Sequence, residues 1–236
     1  MEATTIFERK EIKYHLTKQQ HDELLRLIAE HIAPDMHGLT TICNIYFDTP
    51  DSRLVRESIE KPLYKEKLRL RCYGVPNAES PAFLELKKKF RGIVYKRREI
   101  LPYDEAMDFL VGGKRPERRS QIFEEIDWVL HFYRGLAPAM ALFYDRIAFV
   151  GVEDPEFRVT FDNNILYRTE DLDLSHGAYG TPLLDKDTYI MELKISEAMP
   201  LWLTEALDKL KIFPASFSKY GTAYGQLLQR AELIKQ

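Results

Sequence analysis

The chain has 236 residues, enough for one large domain with a sizeable core. Hydrophobic residues make up 45% and charged residues 30%, an ordinary globular composition, and a net charge of -3 argues against a protein that coats nucleic acid. No apolar run approaches the roughly 20 residues of a membrane helix, Met1 to Lys10 holds no signal-peptide core, and Cys43 and Cys72 lack metal-ligand spacing, which together point to a cytoplasmic protein with reduced thiols.

Ile6 to Leu16 alternates like a strand, and Thr17-x-x-Gln20 is a capping-box pattern before Leu24, Leu27, Ile28 and Ile32 at helical spacing. Thr40 to Asp48 reads as a strand ending at a Thr49-Pro50-Asp51 turn. Lys67 to Tyr73, Ala82 to Lys89 and Val94 to Leu101 are three more strands. A helix is expected over Arg118 to Tyr133, with Gly135 as its stop. Strands resume at Ala141 to Phe149, Arg158 to Ile165 and Tyr189 to Ile195. Helices at Leu201 to Leu210 and Lys219 to Ile234 follow. Strands with segregated helices mean α+β, and no loop is long enough to hinge independent domains, so residues 1–236 read as a single domain. Neither a P-loop nor a Rossmann fingerprint is present.

Alternate strand residues share a face, and here one face per strand is mostly basic. Lys67, Arg69 and Arg71 oppose Leu68, Leu70 and Cys72. Glu85, Lys87 and Lys89 oppose Leu84 and Leu86. Lys96 and Arg98 share a face, as do Arg9, Glu11 and Lys13; Tyr144 and Arg146; Arg158, Thr160 and Asp162; and Glu192 and Lys194. With Lys219 this collects thirteen basic residues against four acidic ones. Like charges on neighbouring strands repel. Such a set is tolerable if water screens it, the plain solvated-face reading, or if an anion neutralises it. Phosphate suits both Arg forks and Lys point charges. A few carboxylates among them would also admit a divalent metal that shares phosphate oxygens.

Other residues read more simply. The histidines are scattered, with His21 and His31 expected at the surface. Trp128, Trp202 and Phe132-Tyr133 read as packing, Lys88 and Arg91 as a solvated hairpin end, and Asp162 as a turn cap before Asn163-Asn164.

Glu11-x-Lys13-Tyr14, Tyr46-Phe47-Asp48-Thr49, Lys67-x-Arg69-x-Arg71, Glu85-x-Lys87 and Glu192-x-Lys194 together resemble the triphosphate tunnel metalloenzymes. Tyr144-x-Arg146 and Phe217-Ser218-Lys219-Tyr220 resemble the vacuolar transporter chaperone (VTC) domain, the polyphosphate polymerase branch of that superfamily. The likeness runs from about residue 5 to 225. It implies a closed antiparallel eight-stranded β-barrel tunnel with helices packed outside. It implies that Lys13, Arg69, Arg71, Lys87, Lys96, Arg146 and Lys219 hold phosphates, that Tyr144 and Ser218 add hydroxyl donors, and that Glu192 binds Mn²⁺ or Mg²⁺. Lys67, Lys89, Arg98, Arg158 and Lys194 join the phosphate-binding set, and Glu11 and Glu85 the metal set. Many tunnel enzymes begin Glu-x-Glu-x-Lys, whereas Arg9 stands first here, which weakens a two-metal, water-activating arrangement. Within these residues there is neither a further phosphate-sensing domain nor a membrane anchor, so a stand-alone version is expected, with a membrane-protein partner possible and no insertion of its own.

The implied activity is transfer of the ATP γ-phosphoryl group to a polyphosphate chain. One alternative is a metal-dependent triphosphatase with Glu11, Glu85 or Asp162 orienting water. A second is a polyphosphate-binding module without turnover.

Overall fold

The computed structural model describes residues 10–60, 62–91, 93–195 and 198–234. Arg9 and the expected start of the first strand lie outside them. Two compact units share the chain. The first comprises residues up to Thr40, Asp145–Ile165 and Leu184–Phe217; the second comprises Thr41–Tyr144, Leu166–Leu183 and the residues from Ser218 onward. In chain order the elements are β1 (Lys10–Thr17), α1 (Lys18–Ile28), β2 (Ile32–Pro34), β3 (Thr40–Asp48), α2 (Arg53–Glu60), β4 (Tyr64–Tyr73), β5 (Pro81–Phe90) and β6 (Ile93–Pro102). Then come α3 (Tyr103–Leu110), α4 (Gln121–Phe132), β7 (Ala137–Gly151), β8 (Arg158–Arg168), β9 (Thr181–Pro182), β10 (Thr188–Ile195), α5 (Leu201–Lys209) and α6 (Lys219–Ile234).

Eight strands follow the path β1-β10-β8-β7-β3-β4-β5-β6, with β2 beside β7 and β9 beside β8. The α+β class and the antiparallel pairing agree with the sequence pattern. The path has two ends, β1 and β6, so closure into a cylinder is not part of the strand pairing among the described residues. No helix there is long and apolar enough to cross a membrane.

In the first unit, β1, β10 and β8 place Tyr14, Leu16, Val159, Phe161, Met191 and Leu193 on one buried face. α1 covers them with Leu24 and Ile28, and α5 with Leu203 and Leu207. The Thr17–Gln20 capping box forms in full. His21, expected at the surface, is 8% exposed. It stacks on Tyr189 with ring centroids 4.0 Å apart and meets Phe161 edge-on, because it lies on the apolar side of α1. His31 stacks on Trp202.

In the second unit, Ile45, Phe47, Leu68, Leu70, Leu84, Leu86 and Phe143 form the sheet side of a core closed by Phe109, Phe123, Ile126 and Val129. Cys43 and Cys72 are directly opposite one another on β3 and β4, both buried and both reduced. Trp128, expected to pack, is 54% exposed and stacks on the half-exposed Phe132. They share the outward side of α4, while Tyr133 turns inward to donate its hydroxyl proton to the buried Glu66. Lys88 pairs with Glu125 on α4 and is not simply solvated, whereas Arg91 is exposed.

Candidate functional site

The expected site residues fall into two sets, one in each unit. In the second unit, the sorting of β4 into Lys67, Arg69 and Arg71 on one face and Leu68, Leu70 and Cys72 on the other holds, since the second triplet is in the core. Register aligns these cations with those of β5 and β6. Lys67 is opposite Lys87, and Lys87 is opposite Lys96, so three ammonium side chains occupy one row across three strands. The next row in the same face is Tyr46, Arg69, Glu85 and Arg98 across four strands. Lys89 lies toward the exposed end of β5, opposite Lys65 and Val94.

Glu85 organises this face. It is 1% exposed. Arg69 Nε donates to Oε2 at 2.5 Å, and Arg98 Nε donates to Oε1 at 2.9 Å. Lys96 Nζ lies 2.5 Å from Oε1, and Arg71 Nε 4.0 Å from Oε2. Burial alone would raise this carboxyl, but Arg69, Arg71 and Lys96 hold it far below the usual carboxylate range. A carboxylate so crowded by cations is placed as a counter-ion. Its surroundings do not suit the metal-ligand role, because a divalent ion would have to enter against four positive side chains.

The rest of this face is tied by hydrogen bonds. Arg71 Nε donates to Asn44 Oδ1 at 3.0 Å, and its Nη2 to Tyr144 Oη at 3.0 Å. Lys219 Nζ sits 4.3 Å from the centre of the Tyr144 ring, a cation–π contact. Lys67 Nζ donates to Ser218 Oγ at 3.4 Å, and Ser218 Oγ also accepts the Gly221 N–H at 3.2 Å, which caps α6. Arg69 Nη1 donates to Tyr46 Oη at 3.3 Å. Burial would raise the Tyr46 hydroxyl, but Arg69 and Lys67 outweigh it and bring it down to about 8. Burial brings Lys96 down to about 8, against the opposing pull of Glu85.

In the first unit, Lys13 on β1 is opposite Glu192 on β10, and Glu11 is opposite Lys194. Lys13 Nζ lies 3.7 Å and Lys194 Nζ 3.9 Å from the Glu192 carboxylate, whose side chain is 14% exposed. Arg158 follows on β8, opposite Lys194. Arg146 donates from Nε and Nη2 to the two oxygens of Asp162 at 2.5 and 2.7 Å. Asp162 is thus the fully buried partner of a bidentate guanidinium and not a turn cap. Orienting water, the role weighed for it in hydrolysis, does not suit a carboxylate committed in this way.

Four residues of the second-unit site had no assigned role in the sequence: Asn44, Tyr46, Asp48 and Tyr220. Asn44 carried no signal. The other three belong to the Tyr46-Phe47-Asp48-Thr49 and Phe217-Ser218-Lys219-Tyr220 segments, whose polar residues in otherwise apolar company were the available clue.

A family model, the VTC domain, matches residues 8–228. The chain belongs to the VTC-domain family. Among solved structures, this VTC domain is similar to a candidate adenylate cyclase from Bacillus halodurans, at 15% identity and TM-score 0.57, covering 89% of this chain and 95% of that one. It is also similar to a candidate adenylyl cyclase from Hippeastrum described as having a dominant triphosphatase activity, at 17% identity and TM-score 0.55, covering 92% and 95%. These likenesses show that this VTC domain shares the fold of those two proteins. No curated protein matches the sequence.

Proposed function

We propose that this VTC domain binds linked phosphates and transfers the γ-phosphoryl group of ATP to the end of a polyphosphate chain. The observation that carries the reading is the row Lys67–Lys87–Lys96 beside the row Arg69–Glu85–Arg98. Cations outnumber carboxylates in these two rows, with Glu85 shared among Arg69, Lys96 and Arg98, and a bound polyanion would add to the negative charge that balances them. A chain of phosphates has the length and the evenly spaced charge to do so. The family match supports the same reading.

In this transfer the bond from the γ-phosphorus to the β,γ-bridging oxygen breaks. A bond forms to a terminal oxygen of the acceptor chain, and ADP leaves. The transition state is loose and spreads charge over phosphate oxygens, so positioning and electrostatics carry most of the catalysis. Arg69, Arg71, Lys87 and Lys96 offer that charge in the second unit, with Lys219 at the start of α6 and the Ser218 hydroxyl just before it.

A Mn²⁺ or Mg²⁺ ion fits this donor set in a limited way. Among the described residues no group of three His, Cys, Asp or Glu side chains could hold a metal alone. Glu192, with Glu11 on the adjacent strand, supplies the one or two carboxylates that such ions take when phosphate oxygens complete the shell. When bound, the ion would neutralise phosphate oxygens.

The test is incubation with ATP and Mn²⁺, followed by separation of polyphosphate from orthophosphate. Polymer and ADP support the proposal. Orthophosphate alone would move the activity to triphosphate hydrolysis, the reading favoured by the Hippeastrum neighbour. Binding without turnover under any divalent ion would leave a polyphosphate-binding module.

A further inference from the structure

Ser218 and the first two residues of α6 each connect to a cation of β4, Ser218 directly and Lys219 and Tyr220 through one intervening tyrosine. Ser218 accepts from Lys67. Lys219 lies over the ring of Tyr144, which accepts from Arg71. Tyr220 stacks on Tyr46, with ring centroids 4.6 Å apart and planes at 17°, and Tyr46 accepts from Arg69. The placement of Ser218 and Lys219 therefore depends on where the first turn of α6 is held.

That turn is held mainly through Tyr220. Among the described side chains of α6, only Tyr220 and Ala223 are buried. The Tyr220 hydroxyl donates to Asp48 Oδ2 at 2.8 Å. Asp48 is itself tied to the backbone of the next turn. Its Oδ1 accepts the N–H groups of Thr49 and Leu54 at 2.9 and 2.8 Å, and its Oδ2 accepts that of Val55 at 3.0 Å. The carboxylate thus caps the first turn of α2, and it is 2% exposed. Displacing it would uncover these three backbone donors. Asp48 is a fixed post, and Tyr220 is the tether that ties α6 to it.

We infer that Tyr220 is a positioning residue, whose hydrogen bond to Asp48 sets Ser218 and Lys219 against the cations of β4 for phosphate binding. The inference rests on the phosphate-binding reading above. Tyr220 needs no contact with the ligand, since its proton is committed to Asp48 and its ring to Tyr46. It acts through its neighbours in sequence, and Lys219 is the one that carries charge.

The decisive variant is Tyr220→Phe, which keeps the ring and its stack and removes only the hydroxyl. Calorimetric titration with inorganic tripolyphosphate, without metal, would compare four proteins: wild type, Tyr220→Phe, Lys219→Ala and the double variant. The expected result is a loss of roughly tenfold in affinity for Tyr220→Phe. In the Lys219→Ala background the same change should cost less than about twofold, because the residue acted through is already gone. A hydroxyl that merely supported the fold would lower affinity by the same factor in both backgrounds, and that outcome overturns the inference. So does unchanged affinity in the single variant. Should Tyr220→Phe express poorly, hydrogen exchange of residues 218–224 on what folded protein is recovered decides the point. Faster exchange there supports the tether, and wild-type protection removes it. If wild type binds no tripolyphosphate, the phosphate-binding reading fails first and takes this inference with it. Binding by wild type with Tyr220→Phe equal to it defeats the inference alone.

Discussion

Arg69 and Glu85 are directly opposite one another on adjacent strands, with Nε 2.5 Å from Oε2, and the carboxylate is buried where the guanidinium is partly exposed. The pair is unequal. Glu85 serves Arg69, Lys96 and Arg98 together, so its removal leaves several cations facing one another. Breaking a buried ion pair by removing one partner typically costs about 3–5 kcal/mol. Glu85→Gln should therefore melt well below wild type in phosphate-free buffer. Tripolyphosphate should then raise the melting midpoint of the variant more than that of wild type, because the ligand restores the missing negative charge. Equal ligand-induced shifts in scanning calorimetry would contradict this account of Glu85.

Tyr46 and Lys96 set an opposed pH dependence of stability and binding. Both titrate near 8 in the folded protein, below their ordinary values of 10.0 and 10.5. Between about pH 8 and 10 the folded state therefore holds fewer protons on these groups than the unfolded state does. Their contribution to stability rises with pH across that window and is lost as pH falls through 8. Over the same window Lys96 loses a positive charge and Tyr46 gains a negative one, so tripolyphosphate affinity should fall. Melting and titration at pH 7, 8, 9 and 10 check both signs, and Tyr46→Phe should show a smaller rise in stability than wild type.

Glu192 stands between two lysines on the first unit's strands. Glu192→Gln should abolish the dependence of turnover on Mn²⁺ or Mg²⁺ and lower the rate by at least about tenfold. Metal-free tripolyphosphate affinity should hold or improve, since a negative charge has been removed. Turnover that survives with its metal dependence intact would take Glu192 out of the proposed metal set.

Arg168 offers a control outside the phosphate chemistry. Its guanidinium donates to the carbonyl oxygens of Asp171, Asp173, Gly177 and Tyr179, and lies over the rings of Phe143 and Tyr179. No ammonium can reproduce that fork. Arg168→Lys should expose the 169–180 segment to limited proteolysis and lower the melting midpoint, with tripolyphosphate affinity within about twofold of wild type. A large loss of affinity would show that this segment bears on binding.

The sequence exposed some of this architecture and hid the rest for identifiable reasons. Period-two alternation sorted β4 correctly, because leucines on one side and cations on the other leave no second solution. The range of β3 agrees with expectation to the residue, and α6 begins where it was expected, at about Lys219. α2 and α3 were not expected. α2 is capped from a distance, by Asp48 on Leu54 and Val55 and by Thr49 on Arg53, and so lacks the local capping box that marks α1. α3 begins at Tyr103 directly after the last residue of β6, with no loop to announce it. The cations of the site were legible one strand at a time. The row of three lysines and the service of Glu85 to its neighbours were not, because they depend on which strands pair and in what register. The same is true of His21 and Trp128, whose burial depends on the side of a helix that tertiary packing selects.

Cys43 and Cys72 have a practical consequence. Burial pushes the Cys72 thiol up to about 12, and both side chains are sealed inside the layer between β3, β4 and the helices. Native protein should resist alkylation, and each reaction with iodoacetamide would record a moment when β3 and β4 come apart. The chain thus carries its own clock for breathing of the sheet that bears Arg69 and Arg71, readable by mass spectrometry without any label being engineered in.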